Sequence, residues 1–119
     1  MNNKTESLVE KLKQALSSTA RVISDDLNVK INSDNQKKHG KIDFFDVENV
    51  NTKSDFLKAR AASDSKALKK KFSDELIFKK NLPSSSSCKL LYTIAEKIRY
   101  ETLGSKMLKG IEKNLKDNY

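Results

Sequence analysis

The region 94–115 constrains the fold most, because two apolar stripes at helical spacing meet there at Gly104. The first stripe begins at Ile94 and the second begins at Leu103. A glycine inside a helical pattern costs about 1 kcal/mol relative to alanine, so it is expected either to end a helix or to allow a close helix contact. The sequence therefore predicts two packed helices, or one bent helix, at the end of the chain.

The first half of the chain changes from a helical pattern to a strand pattern. Apolar residues recur at helical spacing from near Thr5, and Asp25 and Asp26 are expected to end this first helix. Alternation over residues 27–32 and 42–47 is typical of two half-buried strands separated by a polar loop. We therefore expect a β-hairpin that a helix covers on one face, because an isolated hairpin is only marginally stable.

A helical pattern resumes at Asn51, with Thr52 or Ser54 as the predicted N-cap. Asp64 lies on the same stripe as the apolar residues of this helix, and a carboxylate in that position is costly unless it is paired. We expect Asp64 either to pair with Arg60, one helical turn earlier, or to face water at the edge of the stripe.

Pro83 and the four serines at 84–87 break the helical pattern and can supply N-cap hydroxyls for the final helices. The patterns together predict an α+β fold that is predominantly helical, with about four helices and a small two-stranded β-hairpin between the first and second. With 119 residues and no internal repeat, residues 1–119 are expected to form a single domain.

The composition favours acidic partners. The chain has 24 Lys and Arg against 16 Asp and Glu, a formal charge of +8. We expect the run 69–71, three lysines, to be solvated surface rather than a binding patch. No apolar run approaches the roughly 18 residues that cross a bilayer, and the start lacks the pattern of a signal peptide. A cytoplasmic protein with no membrane partner is the resulting interpretation.

The sequence lacks the residues that several kinds of active site and binding site require. Cys88 is the only cysteine and His39 the only histidine, which excludes an internal disulfide and a zinc site built from these residue types. We interpret His39 as a surface loop residue, and Cys88 as a small apolar residue at a helix start rather than an activated thiol. Gly40, Gly104 and Gly110 open no phosphate-binding motif. We therefore predict no catalytic residue, cofactor site or metal site in this chain.

Several sequence blocks form a series that is known from one family. They are Lys58-Ala59-Arg60, Asp64-Ser65 with Ala67-Leu68, Pro83, the run Ala95-Glu96-Lys97-Ile98-Arg99-Tyr100-Glu101-Thr102-Leu103-Gly104, and Met107. In order and spacing, this series resembles the N-terminal part of the CobT subunit of aerobic cobaltochelatase. Where that family usually carries a histidine before the proline loop, this chain has Phe78 and Lys79.

The resemblance implies a function in cobalamin biosynthesis. CobT-type subunits are chaperone-like assembly subunits that act with an AAA+ ATPase of the CobS type and a large subunit of the CobN type. The complex is a ligase that forms nitrogen–metal bonds by inserting cobalt into a corrin ring, hydrogenobyrinic acid a,c-diamide. ATP, magnesium and cobalt are implied for the partner subunits, and none is expected to bind this chain. The family's C-terminal von Willebrand A-type domain, with its DxSxS motif, is expected to be absent here.

The resemblance also selects candidate signature or interaction residues. These are Arg60, Asp64, Ser65, Glu96, Arg99, Glu101 and Gly104. They form either a partner surface or, as we favour, an internal polar network. In that network the charged residues Arg60, Asp64, Glu96, Arg99 and Glu101 form ion pairs that fix helix packing around Gly104. Two other functions stay open: a small basic helical protein that binds nucleic acid, and an adaptor of an AAA+ ATPase with a non-chelatase target. Nucleic-acid binding is disfavoured by the 7% aromatic content and by the lack of a recognised motif.

Overall fold

Five helices make up most of the part of the chain that the computed structural model describes, which comprises residues 2–28, 31–32, 42–43 and 51–119. In chain order the elements are α1 (Asn2–Ser24), β1 (Ile31–Asn32), β2 (Ile42–Asp43), α2 (Lys53–Phe72), α3 (Glu75–Lys80), α4 (Ser86–Met107) and α5 (Lys109–Asn118). The side chains described are those of residues 8–28 and 51–119.

The predicted end of α1 and start of α2 are confirmed. Asp25 adopts a φ of 57°, and the Asp26 N–H donates to the Arg21 carbonyl at 3.2 Å, which is the backbone pattern of a Schellman stop. Thr52 is the N-cap of α2 and accepts from the Asp55 N–H at 3.1 Å. The Asp55 carboxylate accepts in turn from the Thr52 N–H, so the two residues form a capping box.

The predicted α+β class with about four helices and a β-hairpin is wrong. The two strands have two residues each and pair in parallel, with Ile31 opposite Ile42, whereas a hairpin needs an antiparallel pair. Leu27, assigned to the first strand, lies in a turn and is largely exposed. A short alternating pattern carries no information on strand direction, which explains the error. The other residues of both predicted strands, and the loop with His39, lie outside the described residues.

The helix that the sequence patterns did not predict is α3, because it spans only six residues. Asp74 is its N-cap and accepts from the backbone N–H groups of Leu76 and Ile77. One of the four serines, Ser85, is the N-cap of α4 and accepts from the Cys88 N–H at 3.2 Å. The helical pattern at the chain end is two helices, which meet at Leu108.

The core is organised around α2, which packs against α1, α4 and α5. Most of its buried side chains are small, and this lets the neighbouring helices approach closely. They are Ala59, Ala61, Ser63, Asp64, Ser65, Ala67 and Leu68. The surrounding helices contribute larger buried residues, namely Leu16 and Ile23 from α1, Tyr100 from α4, and Ile111 and Leu115 from α5.

Candidate functional site

Gly104 is a point of close contact between α4 and α2. The helix continues three residues beyond it, so Gly104 does not end the helix. A Cβ atom at this position would overlap both δ-carbons of Leu68 and lie 2.9 Å from its Cγ. Leu68 is fully buried and cannot move aside into solvent. Glycine is therefore needed here for packing, which is one of the two alternatives that the sequence left open.

Glu101 lies at the centre of a polar cluster one turn before the glycine, in which Glu101 and Ser65 are buried and Tyr119 is largely exposed. Its Oε1 accepts from the Ser65 hydroxyl at 2.7 Å, and its Oε2 accepts from the Tyr119 hydroxyl at 2.8 Å. The Lys97 ammonium lies 3.9 Å from Oε1 and 5.9 Å from the centre of the Tyr119 ring. Partial desolvation of the Tyr119 hydroxyl, together with its hydrogen bond to Glu101, raises the pKa of Tyr119. This cluster joins α2, α4 and the last residue of the chain.

Glu96 and Arg99 join α4 to the end of α2. The guanidinium donates to both carboxylate oxygens of Glu96, at 2.9 and 2.6 Å, and to the Phe72 carbonyl at 2.6 Å. The Ser73 hydroxyl donates to the same carboxylate at 2.8 Å. The hydrogen bond from Arg99 is the main reason that the pKa of Glu96 lies below its usual value. An arginine on the last carbonyls of a helix also complements the helix dipole.

Asp64 is buried, with 1% of its surface exposed, and its partner is an amide. Asn114 Nδ2 of α5 donates to Asp64 Oδ2 at 2.9 Å, and Oδ1 has no hydrogen-bond partner among the described residues. Burial raises the pKa of this carboxyl group, whereas the Asn114 hydrogen bond and the Arg60 charge act in the opposite direction. Among the described side chains, no direct ion pair joins Arg60 to Asp64. Neither expected state of Asp64, paired with Arg60 or facing water, is the one found.

An open cleft lies beside Asp64, where α1, α2 and the start of α5 meet. It has a volume of about 420 Å³ and is lined by Arg60, Asp64 and Asn114 together with residues of α1. Ser63, the neighbour of Asp64 in the chain, is also buried, and its hydroxyl lacks a hydrogen-bond partner among the described residues. Buried polar groups without hydrogen-bond partners are uncommon in proteins. The polar atoms of Ser63 and Asp64 are therefore incompletely hydrogen-bonded among the described residues.

Apolar side chains are exposed to solvent in a second region of the molecule. We call this region the arm and define it as α3 together with the first part of α4, residues 75–80 and 86–99. Four apolar side chains of α4 form an exposed stripe at helical spacing. They are Leu90, Leu91, Ile94 and Ile98, exposed by 62%, 68%, 46% and 60%. In α3, Leu76 and Ile77 are exposed as well. Phe78 of α3 packs on Tyr92 of α4 with ring centres 5.1 Å apart.

The stripe continues into a groove between α4 and α5 with a volume of about 510 Å³. Ile94 and Ile98 line it from α4, and Leu115 lines it from α5, beside Tyr119 at the end of the chain. The exposed surface of the groove is mainly apolar, and its charged lining residues are Lys97, Lys116, Glu101 and Glu112.

Six of the seven candidate residues form three separate groups, and the seventh, Gly104, has a packing role. Glu96 with Arg99, Ser65 with Glu101, and Arg60 near Asp64 form separate groups, and Gly104 packs between helices. Sequence reasoning missed Asn114 and Tyr119, which complete two of these groups. No pattern pointed to either residue, because each becomes a partner only when α5 packs against α2 and α4.

The remaining sequence expectations concern surface residues and ligands. Lys69, Lys70 and Lys71 are exposed, and Lys70 pairs with Asp26 at 2.7 Å. Cys88 is an exposed free thiol. No group of three or more metal-ligand side chains occurs in the described part of the chain. Within the same residues, no helix has the length and apolar content to cross a membrane.

Comparison with protein families identifies a match over nearly the whole chain. The family model for the cobalamin biosynthesis protein CobT matches residues 6–119, which is nearly the whole chain. Neither a curated protein nor a solved structure matches this chain.

Proposed function

The chain belongs to the CobT family of cobalamin biosynthesis proteins, and on this premise we propose that it is a non-catalytic assembly domain of an ATP-dependent cobaltochelatase. In the proposed complex, an AAA+ ATPase of the CobS type binds ATP and magnesium and hydrolyses the nucleotide. A large subunit of the CobN type inserts cobalt, the substrate metal, into the corrin ring of hydrogenobyrinic acid a,c-diamide. The domain acts in the cytoplasm by contacting these partners.

The observation that carries this proposal is the exposed apolar stripe of the arm. Leu90, Leu91, Ile94 and Ile98 lie side by side on one helix and remain largely uncovered. Single exposed apolar residues are normal on protein surfaces, but contiguous apolar patches mark sites of interaction with other molecules. A contact surface on a well-formed helix is what an assembly domain requires.

The arm is also held in place before any partner binds. The Ser85 cap begins α4, and Phe78 of α3 contacts Tyr92 of α4. Arg99 anchors the far end of the arm to the Phe72 carbonyl. A surface that is already ordered loses less conformational entropy on association, which favours binding.

The direct test is association of the chain with the cognate AAA+ subunit. The two proteins are mixed with ATP, with ADP or without nucleotide, and the complex is measured by size-exclusion chromatography with light scattering. The double variant Ile94→Ser/Ile98→Ser removes apolar contacts from the stripe without adding charge. Leu8→Ser/Val22→Ser is the matched control, because both residues are exposed apolar residues of α1.

We expect the unaltered chain and the α1 control to co-elute with the ATPase, and the stripe variant to lose most of this association. Cobalt insertion by the reconstituted complex should depend on the chain in the same order. Absence of any complex with the ATPase, in all three nucleotide states, would contradict the proposal.

The two alternative functions differ from this proposal in measurable ways. Nucleic-acid binding through Lys69, Lys70 and Lys71 would weaken steeply with salt, with a slope near the number of phosphates neutralised. An adaptor for a non-chelatase target would bind the AAA+ subunit but leave cobalt insertion unchanged when omitted. The same purified proteins therefore separate all three functions.

A further inference from the structure

We propose that the apolar stripe and the adjoining groove bind a single amphipathic helix of a partner protein, and that acidic residues flank the apolar face of that helix. The inference rests on the proposed function only for the identity of the partner, and it adds the chemistry and shape of the segment that docks.

The spacing of the stripe fits a helical ligand. Leu90, Ile94 and Ile98 are four residues apart, so they lie in a row along α4, and Leu91 is beside this row. A helix that packs against such a row inserts its own apolar residues at positions i, i+3 or i+4, and i+7.

The groove gives that helix a second wall. Leu115 of α5 and Tyr119 line the same groove of about 510 Å³ as Ile98 of α4. The stripe supplies the first contacts on the open part of the arm, and the groove encloses the same ligand further along α4. An apolar ridge next to an apolar groove is the geometry by which proteins bind amphipathic helices.

The positive charge around the arm favours a ligand with negatively charged side chains. Residues 66–98 contain eight lysines and only three acidic residues, so most of the net positive charge of the chain lies in this region. Lys79 pairs with Glu75 at 2.8 Å, and Glu96 is bound to Arg99. Two of the three acidic residues of this region are thus engaged by basic ones, and the third, Asp74, caps α3. Among the lysines, Lys70 pairs with Asp26 and Lys97 lies 3.9 Å from Glu101. A ligand helix with Asp or Glu beside its apolar face complements the remaining charge.

Charge and shape also argue against two other occupants. A second copy of this chain would bring one lysine-rich arm against another, and like charges at an interface are repulsive. A lipid surface is nearly flat on this scale and cannot follow the concave groove between α4 and α5. An acidic helix is the occupant that satisfies both the groove and the lysines.

The experiment uses two labelled synthetic peptides, each about 18 residues long, so that each can form a stable helix. Both carry leucine at positions i, i+3, i+4 and i+7. One has glutamate and the other has lysine at the flanking positions. Binding to the full chain is measured by fluorescence anisotropy, with Ile94→Ser/Ile98→Ser and Leu8→Ser/Val22→Ser as variants. Circular dichroism and thermal melting establish that each variant is folded.

We expect the acidic peptide to bind at least about tenfold more tightly than the basic peptide, as charge complementarity requires. The stripe variant should lose about tenfold in affinity for the acidic peptide, whereas the α1 variant should bind like the unaltered chain. Equal binding of the two peptides, or equal binding to the two variants, would overturn the inference.

Two further measurements address the other occupants. Light scattering of the chain alone would overturn the inference if it showed a dimer that the stripe variant abolishes. Flotation with vesicles of phosphatidylserine and phosphatidylcholine would overturn it if the stripe bound lipid and neither peptide.

The outcome also separates this inference from the proposed function. Peptide binding as expected, without any complex with the AAA+ subunit, would support the docking surface and contradict the proposed function. A complex with the AAA+ subunit that is insensitive to the stripe substitutions would support the proposed function and contradict the docking surface.

Discussion

The two parts of α4 differ in which kinds of side chain they bury and expose. From Ser86 to Arg99, large apolar side chains such as Leu90 and Ile98 are exposed. From Tyr100 to Met107, a polar residue, Glu101, is buried and hydrogen-bonded across to α2. A hydrophobic pattern alone would assign the apolar part to the core and the charged part to the surface. The comparison teaches that in this helix one end holds the domain together and the other is available to a partner.

The largest effect on stability is expected from Gly104→Val. The added methyl groups would enter the space that Leu68 occupies, and overpacking of a core costs about 3 kcal/mol at the upper end of its usual range. Gly110→Val is the control, because a Cβ at Gly110 meets nothing within 4 Å. The free energy of unfolding is measured by urea denaturation. Equal stability of the two variants would show that close packing at position 104 is not required.

If Gly104→Val does not fold, Gly104→Ala replaces it in the same comparison. Alanine improves helix propensity by about 1 kcal/mol, so any loss of stability relative to Gly110→Ala measures the cost of the contact with Leu68. A gain of stability in both alanine variants would contradict the packing explanation.

A smaller loss is expected from Glu101→Ala. This substitution leaves the buried Ser65 hydroxyl without its acceptor, which costs about 1–3 kcal/mol. It also removes the hydrogen bond from Tyr119, whose side chain is largely exposed. Tyr119→Phe removes one of the two hydrogen bonds and should cost about 1 kcal/mol. Thermal and urea unfolding of both variants test this order. The polar cluster would have no structural role if Glu101→Ala were as stable as the unaltered chain.

Asp64 should make stability depend on pH. Because its pKa is raised in the folded state above the ordinary value of 3.8, the folded protein holds this proton more strongly than the unfolded chain. The contribution of Asp64 to stability is therefore largest at low pH and falls as pH rises from the ordinary pKa through the raised one. Each unit of pKa difference corresponds to about 1.4 kcal/mol.

The variant Asp64→Asn isolates this effect, because other groups such as Glu96, whose pKa is lowered, titrate alike in both proteins. The difference in unfolding free energy between Asp64→Asn and the unaltered chain should shift in favour of asparagine between pH 4 and pH 7. A difference that stays constant over this range would mean that Asp64 titrates alike in the folded and unfolded states.

The smallest effect on stability is expected in the arm. Ile98→Ser should change the free energy of unfolding by no more than about 0.5 kcal/mol, as is usual for exposed positions. The same change at Ile111, which is 4% exposed, should cost about 3 kcal/mol because it removes a core side chain. Urea denaturation of the pair tests the contrast. A large loss of stability in Ile98→Ser would indicate that the stripe packs within the domain.

Local signals in the sequence were sufficient for the helix boundaries at Thr52, Asp25 and the serines before α4, since capping depends on neighbouring residues. They were insufficient for α3, which is shorter than the window in which a helical period can be recognised. The hairpin prediction failed because strand direction depends on how distant segments meet.

The partners of the candidate residues also could not be predicted from local sequence signals. The sequence indicated that Asp64 needed a partner, but the choice of Asn114, 50 residues away, depends on tertiary packing. It also gave no sign that the stripe beginning at Ile94 would be exposed, because an apolar helical pattern looks the same whether the domain itself or another protein covers it.

The most direct measurement is amide hydrogen exchange of α4 in the chain alone and in its complex with the AAA+ subunit. We expect exchange in residues 86–99 to slow on binding, because the partner helix covers the stripe. Residues 8–24 of α1, measured in the same experiment, should keep the exchange rates that they have in the free domain, because none of them lines the groove. Unchanged exchange in residues 86–99 within a stable complex would contradict the assignment of the arm as the contact surface.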